Sequence, residues 1–475
     1  MTNKKFAGQV TLLLLVNVFV KLIWIFFIER KVQLSVGFAQ YGTYYSILNY
    51  TLILSIINDP GLNNFLINQL SKDKSDVKQI SGLLYLKIIL SILYLVITLV
   101  GSFILGLEDY QLVFLLIMYQ IGYSLLTYFR SFLKGHQLLN IDVIFSVLDK
   151  SILIVFFIPL LYLNTAFIWT IKFYAIAQLL AVIISLLICI YYLNKRKISV
   201  FVRKHILFDF QLIKSVFPFA VFAFLVVAYN RVDVIMLDKI LDNGAHETGV
   251  YAAAYRFLDA ATMFSILFAS FLYPVIGKLI NNKKQIEVIV KQSFVFLVSA
   301  SLILAFASWF YRNPLMQLFY LEKATENLAL IFGVLMFCLP LIALYYVFST
   351  LFTAKNSLKL LNFISAMGLL INVGLNLLLI PNYQALGAAL SSLLSFAIVG
   401  LLYSVLYYTY FKYSFEPIIW IKLLLYAGLL CLLGSLLTKI SINWVFSLVI
   451  YFSLSTIVGV FFRFFDVKKI RKMIS

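Results

Sequence analysis

The chain has 475 residues, 63% of them hydrophobic and only 12% charged. A soluble protein carries about twice that charged fraction, and no polar block here is large enough for a soluble domain, so a soluble fold is excluded. The formal net charge of +19 would suit nucleic acid, but its distribution along the chain assigns it to membrane topology instead.

The N-terminal stretch MTNKKFAGQVTLLLLVNVFVKLIWIFFIER has the lysines of a signal peptide. Its apolar run continues to about Ile28 and lacks a small-x-small cleavage site, so it reads as a first membrane span. Taking the apolar runs in order predicts fourteen spans: 6–28, 39–58, 80–105, 110–130, 140–163, 167–193, 215–240, 249–275, 286–311, 327–352, 359–380, 384–410, 418–438 and 444–465. Each is long enough to cross about 30 Å of hydrocarbon at about 1.5 Å per residue. The fold class is therefore an all-α polytopic membrane protein.

Lysine and arginine set the orientation. With both termini cytoplasmic, 24 of the 38 Lys and Arg residues fall in inner loops and ends, six in outer ones and eight within spans. This positive-inside bias accounts for the basic composition, so no nucleic-acid partner is expected. Contacts with anionic membrane lipids fit the basic inner loop Asn194–Lys214. That loop falls after six spans and separates two similar stretches, GFAQYGTYYSILNY and HETGVYAAAYRFLD. Gly42 and Tyr44 align with Gly249 and Tyr251, both at an offset of 207. The expected organisation is a six-helix bundle at 1–193, a basic cytoplasmic linker at 194–214, a second bundle at 215–410, and two extra helices with a basic tail at 411–475. Six spans per half make the two bundles parallel repeats about an axis along the membrane normal.

Charges inside the spans are the candidate functional groups, because each costs several kcal/mol unless it faces protein or water. The stretch from Asn230 to Ala260 carries Arg231, Asp233, Arg256 and Asp259 between apolar flanks. Lys21, Arg231 and Arg256 lie about 10 to 14 Å below the outer boundary at the helical rise. Lys87 is comparably deep from the inner side, and Lys150 lies near the middle of the fifth span beside Asp149. Plainer roles compete for each. Arg256 and Asp259, spaced i, i+3, can pair, and Asp149 can neutralise a neighbour or exchange a coupling proton. Lys172, Lys291 and Lys422 sit close enough to their span ends to snorkel. Asn372 and Asn376 share a face and suit a bridge between helices, while Pro340 should kink the tenth span.

Enzyme chemistry finds little support. The three histidines, His136, His205 and His246, occupy separate loops without metal-ligand spacing. The three cysteines, Cys189, Cys338 and Cys431, all lie in apolar runs and read as packing residues. No P-loop occurs, and no cofactor, metal or catalytic residue is expected. A membrane glycosyltransferase or polymerase, the enzyme alternative, usually displays a large outer loop, whereas the longest here is Arg312 to Glu326.

Several motifs in register carry a family resemblance. The R-x-D of Arg231 and Asp233 precedes the G-x-Y-x-x-A of Gly249, Tyr251 and Ala254; a D-x-G-L runs from Asp59 to Leu62; and IPNYQALGAALSS spans Ile380 to Ser392. This pattern, over nearly the whole length, resembles the polysaccharide-transporter branch of the multidrug/oligosaccharidyl-lipid/polysaccharide exporter superfamily. The chain departs from it at Asn382–Tyr383–Gln384, where the usual first glycine of a P-x-x-G-x-x-G-A-A-like turn is missing.

The resemblance implies two bundles around an alternately opening cavity in the cytoplasmic membrane. It also implies a flippase for polyprenyl-diphosphate-linked oligosaccharide repeat units used in surface polysaccharide synthesis, such as O-antigen or capsule. Glycosyltransferases and a polymerase of the same pathway are the implied partners. Lipid II or teichoic-acid exporters and multidrug antiporters are the alternatives within the superfamily. A diphosphate calls for cations, which makes Lys21, Lys87, Lys150, Arg231 and Arg256 the expected substrate ligands. Asp149, Asp233 and Asp259 are the expected charge partners or coupling groups.

Overall fold

A computed structural model describes residues 15–71, 77–162, 169–198, 210–412 and 416–465, without side chains at 77–81 and 210–217. Lys4, Lys5, most of the 194–214 linker and the basic tail lie outside the described residues. Every regular element among those described is helical, as lipid demands of a chain that must satisfy its backbone internally.

The Cα packing divides the chain into two compact units, Met1–Ile235 and Met236–Ser475. In the first, α1 covers 15–36 and includes a π-helical stretch, Trp24–Glu29, before its α-helical end Arg30–Val36. The helix thus runs past the expected end of the first span at 28, through Arg30 and Lys31. Then come α2 (Phe38–Leu54), α3 (Leu62–Ser71), α4 (Val77–Ile104), α5 (Tyr110–Gly135), α6 (Leu139–Tyr162), α7 (Ile171–Lys195) and α8 (Phe210–Ile240), whose end crosses into the second unit. The second continues with α9 (Gly244–Lys278), α10 (Lys283–Phe310), α11 (Arg312–Tyr320), α12 (Glu326–Met336), α13 (Cys338–Ala354), α14 (Leu358–Thr409), α15 (Pro417–Leu437) and α16 (Trp444–Phe461).

Eleven helices among the described residues are long and apolar enough to cross a membrane. One of them, α14, bends at Gln384 and supplies the two spans expected at 359–380 and 384–410. With α1 and α2 the set matches about fourteen expected spans, and the protein is an all-α polytopic membrane protein. Pro340 acts as expected. The tenth span breaks between Met336 and Cys338, where proline removes a hydrogen bond and its ring crowds the carbonyl four residues back.

Two short helices were not anticipated. Residues Leu62–Ser71 fall between the expected spans 39–58 and 80–105, yet Leu62, Leu66 and Leu70 form a buried stripe against Phe129, Phe132 and Leu133 of α5. Part of the expected outer loop after 311 folds as α11, anchored by buried Met316 and by Tyr320 Oη donating to Ala253 O at 3.1 Å. Cys189 and Cys338 are buried as packing residues, whereas Cys431 is exposed on α15. Apart from Lys422 near its start, the exposed side chains of that helix are mostly apolar, which suits lipid.

Candidate functional site

In the first unit, aromatic residues of α1, α2, α5 and α7 surround the charged side chains. Trp24 stacks on Tyr174 with ring centroids 6.0 Å apart, and Tyr174 meets Tyr44 edge-on at 5.3 Å. Lys150 on α6 extends its ammonium over the Trp24 ring, 4.8 Å from the centroid, and over Tyr119 at 5.7 Å. Its Nζ also lies 3.4 Å from Tyr119 Oη and 3.8 Å from Asp149 Oδ2. Cation–π attraction strengthens when water is excluded, and here two rings and a buried carboxylate face the lysine ammonium near the middle of its helix. About a fifth of the Lys150 side chain stays accessible, against 3% of Asp149.

Arg231 on α8 donates from Nη1 to Tyr45 Oη at 3.1 Å. Tyr45 stacks on Tyr41, and Tyr41 donates to Glu29 Oε1 at 2.6 Å. Glu29, 3% exposed, escaped the sequence reading because the first span was ended one residue before it. The π-helical stretch turns it inward, and such stretches often occur at functional positions. Asp233 is buried and its Oδ1 accepts from the Val234 N–H. Lys21 lies exposed on α1.

Lys87 sits in a different setting. Its side chain is fully enclosed, donating to Asn58 O at 2.9 Å and Ser124 Oγ at 2.6 Å, with Asp59 Oδ2 at 4.0 Å. These contacts tie α4 to α5 and to the interruption between α2 and α3. Asp59 caps that interruption by accepting from Gly61 N and Asn63 N. Arg130 and Asp142 form another enclosed pair at 2.8 Å, joining α5 to α6, with Lys134 at 3.9 Å.

In the second unit, Arg256 and Asp259 pair at 3.4 Å with both side chains partly accessible, the i, i+3 geometry expected. Asn372 donates to Ser395 Oγ at 3.2 Å and Asn376 to Asn372 Oδ1 at 2.9 Å. The two asparagines thus bridge the arms of α14 as interhelical glue. The two repeat tyrosines take similar roles. Tyr44 is buried and bonds Gln178 on the sixth span at 2.8 Å, while Tyr251 is buried and lies 3.4 Å from Ser392 on the twelfth.

Just outside the spans, Glu416 accepts a hydrogen bond at 2.6 Å from Lys291 Nζ near the start of α10, and this hydrogen bond holds the Glu416 carboxyl below its ordinary range. No cluster of His, Cys, Asp and Glu among the described residues is arranged to hold a metal.

Comparison with known proteins agrees with this architecture. The sequence matches the model of the polysaccharide biosynthesis protein family over residues 7–280, and that of the MatE family over 218–378. No curated protein sequence matches it. Among solved structures, the fold resembles that of the lipid II flippase MurJ in an inward closed conformation. The TM-score is 0.73 at 15% identity, covering 98% of this chain and 100% of that one. A MOP superfamily transporter from Pyrococcus furiosus, described as having a binding pocket of reversed polarity, matches with a TM-score of 0.61 at 14% identity over 85% of this chain and 95% of that one. An inward-facing multidrug resistance transporter of the MATE family gives 0.60 at 14% identity, covering 82% and 97%.

Proposed function

The chain belongs to the polysaccharide biosynthesis protein family, in the polysaccharide-transporter branch of the MOP superfamily, and on that footing we propose that it is a flippase for polyprenyl-diphosphate-linked oligosaccharide repeat units. In this reading it carries them from the inner to the outer leaflet of the cytoplasmic membrane by alternating access, with both termini cytoplasmic. The repeat in this reading consists of six-helix bundles at 1–193 and 215–410, and the helices of 411–475 lie outside it. Glycosyltransferases and a polymerase of the same pathway supply and consume the substrate.

Lys150 carries the reading. A lysine near the middle of its span, held by Trp24 and Tyr119 and still partly accessible, suits a diphosphate that must cross while its prenyl tail stays in lipid. Arg231 adds a second cation in the same unit, and Lys21 and Arg256 extend the set. Lys87, fully enclosed by protein partners, belongs to the scaffold and leaves the substrate set. Asp149, Asp233 and Asp259 balance the cations.

The test is deletion of the gene in its host, followed by assays of surface polysaccharide and of repeat units retained on the inner leaflet. Loss of the polymer with accumulation of completed lipid-linked units supports the proposal. A second reading, export of lipid II, draws on the likeness to MurJ along the full chain. It predicts a peptidoglycan defect with intact surface polysaccharide. Changed drug sensitivity with both polymers intact would point to a multidrug antiporter.

A further inference from the structure

The break in α14 is backbone-strained and externally held. Gln384 adopts φ 52° and ψ −132°, a left-handed conformation that side chains resist and glycine accepts. Immediately after it, the Ala385 N–H opens the second arm by donating to Glu247 Oε2 at 3.3 Å, across 138 residues of sequence. Glu247 is 6% exposed and lies in the first turn of α9, after the Asn243 cap. Its carboxylate therefore meets the positive ends of two helices at once, where an anion is favoured. His246 Nδ1 lies 3.6 Å from its other oxygen.

Close backbone contacts surround this point. A Cβ on Gly387 would stand 2.3 Å from Leu379 O, so the second arm's first turn presses on the first arm. One turn along α9 from Glu247, Tyr251 meets Ser392 of that second arm. Glu247 and Tyr251, spaced i, i+4, thus grip residues 385 and 392 on one face.

We propose that Glu247 is a positioning residue, a latch that holds the strained break at Gln384 and docks the second arm of α14 on α9, and that its release is a step of the transport cycle. The cycle rests on the transporter reading, but on no particular cargo. The latch itself is tested without transport.

The protein in nanodiscs, carrying Cys189→Ala, Cys338→Ala and Cys431→Ala, receives a reporter, Ser391→Cys, at a fully buried position on the second arm. Maleimide labelling of Cys introduced there reads how often the second arm opens from its packed position. Glu247→Gln keeps an acceptor but loses the charge, and labelling should accelerate several-fold; Glu247→Ala should accelerate it about tenfold or more. Adding Gln384→Gly to Glu247→Gln relieves the strain and should return the rate toward that of the parent. In a transport assay Glu247→Gln should lower kcat at unchanged KM. Labelling at the parent rate in Glu247→Ala overturns the latch, as does failure of Gln384→Gly to slow labelling in Glu247→Gln. Normal kcat with accelerated labelling overturns its role in the cycle.

Discussion

Replacing Gln384 with glycine should stabilise the protein, although most substitutions in a packed helix pair destabilise it. Gln384 holds φ 52° and ψ −132° between the arms of α14, and a side-chain-bearing residue in such a region costs about 1–3 kcal/mol. Glycine removes that cost but loses more chain entropy on folding, about 0.5–1 kcal/mol. The net gain is about 1 kcal/mol, and for a chain of this size that raises Tm by about 1 °C. Thermal unfolding in nanodiscs, followed by tryptophan fluorescence, measures it. Gln384→Ala is the control, since its Cβ meets the same backbone and should bring no comparable gain. A Tm that falls or stays level in Gln384→Gly, or an equal rise in Gln384→Ala, would refute the argument.

Other consequences follow from the charged groups. Removing one member of the enclosed Arg130–Asp142 pair, as in Asp142→Asn, should cost about 3–5 kcal/mol in thermal or denaturant unfolding, because it leaves a buried charge uncompensated. Replacing both, as in Arg130→Met with Asp142→Leu, should recover most of that loss. Lys150→Met and Arg231→Ala should reduce transport at least tenfold, and Lys150→Met should also lower Tm somewhat, because buried Asp149 loses the cation beside it. Lys87→Met should instead lower folded yield and Tm, since Asn58 O, Ser124 and Asp59 lose their shared cation. The carboxyl of Glu416 is held below its ordinary 4.5 by Lys291, so its contribution is present above that pH and lost as acid titrates it. The Tm difference between the protein and its Lys291→Ala variant should therefore narrow below about pH 4.5.

The spans were legible in the sequence because lipid imposes length and apolarity together, which a hydropathy pattern reads directly. Pro340 announced its break through the same covalent constraint that makes it. The departure at Gln384 was also legible: it stands where the resembling turn has its first glycine, and it adopts a glycine-like backbone conformation. What escaped depends on partners far away in sequence. Glu29 falls one residue past the expected end of the first span, which the π-helical stretch carries further, and Glu247 falls between the expected spans 215–240 and 249–275, where Ala385 meets it. Lys87 and Lys150 were alike as lysines at depth. Their neighbours separate them, hydrogen-bond acceptors enclosing one and aromatic faces supporting the other. The helix α3 had a readable sign, leucines at 62, 66 and 70, but its polar composition hid it from a search for membrane spans.

The central claim is movement of a diphosphate-linked glycolipid, and reconstitution tests it most directly. Purified protein in proteoliposomes is supplied with a polyprenyl-diphosphate-linked oligosaccharide in one leaflet, and a membrane-impermeant glycan-oxidising reagent reports its arrival in the other. The proposal predicts protein-dependent transfer that falls at least tenfold in Lys150→Met. Transfer no faster than in protein-free vesicles, from the same preparation that exchanges a cationic drug, would contradict it.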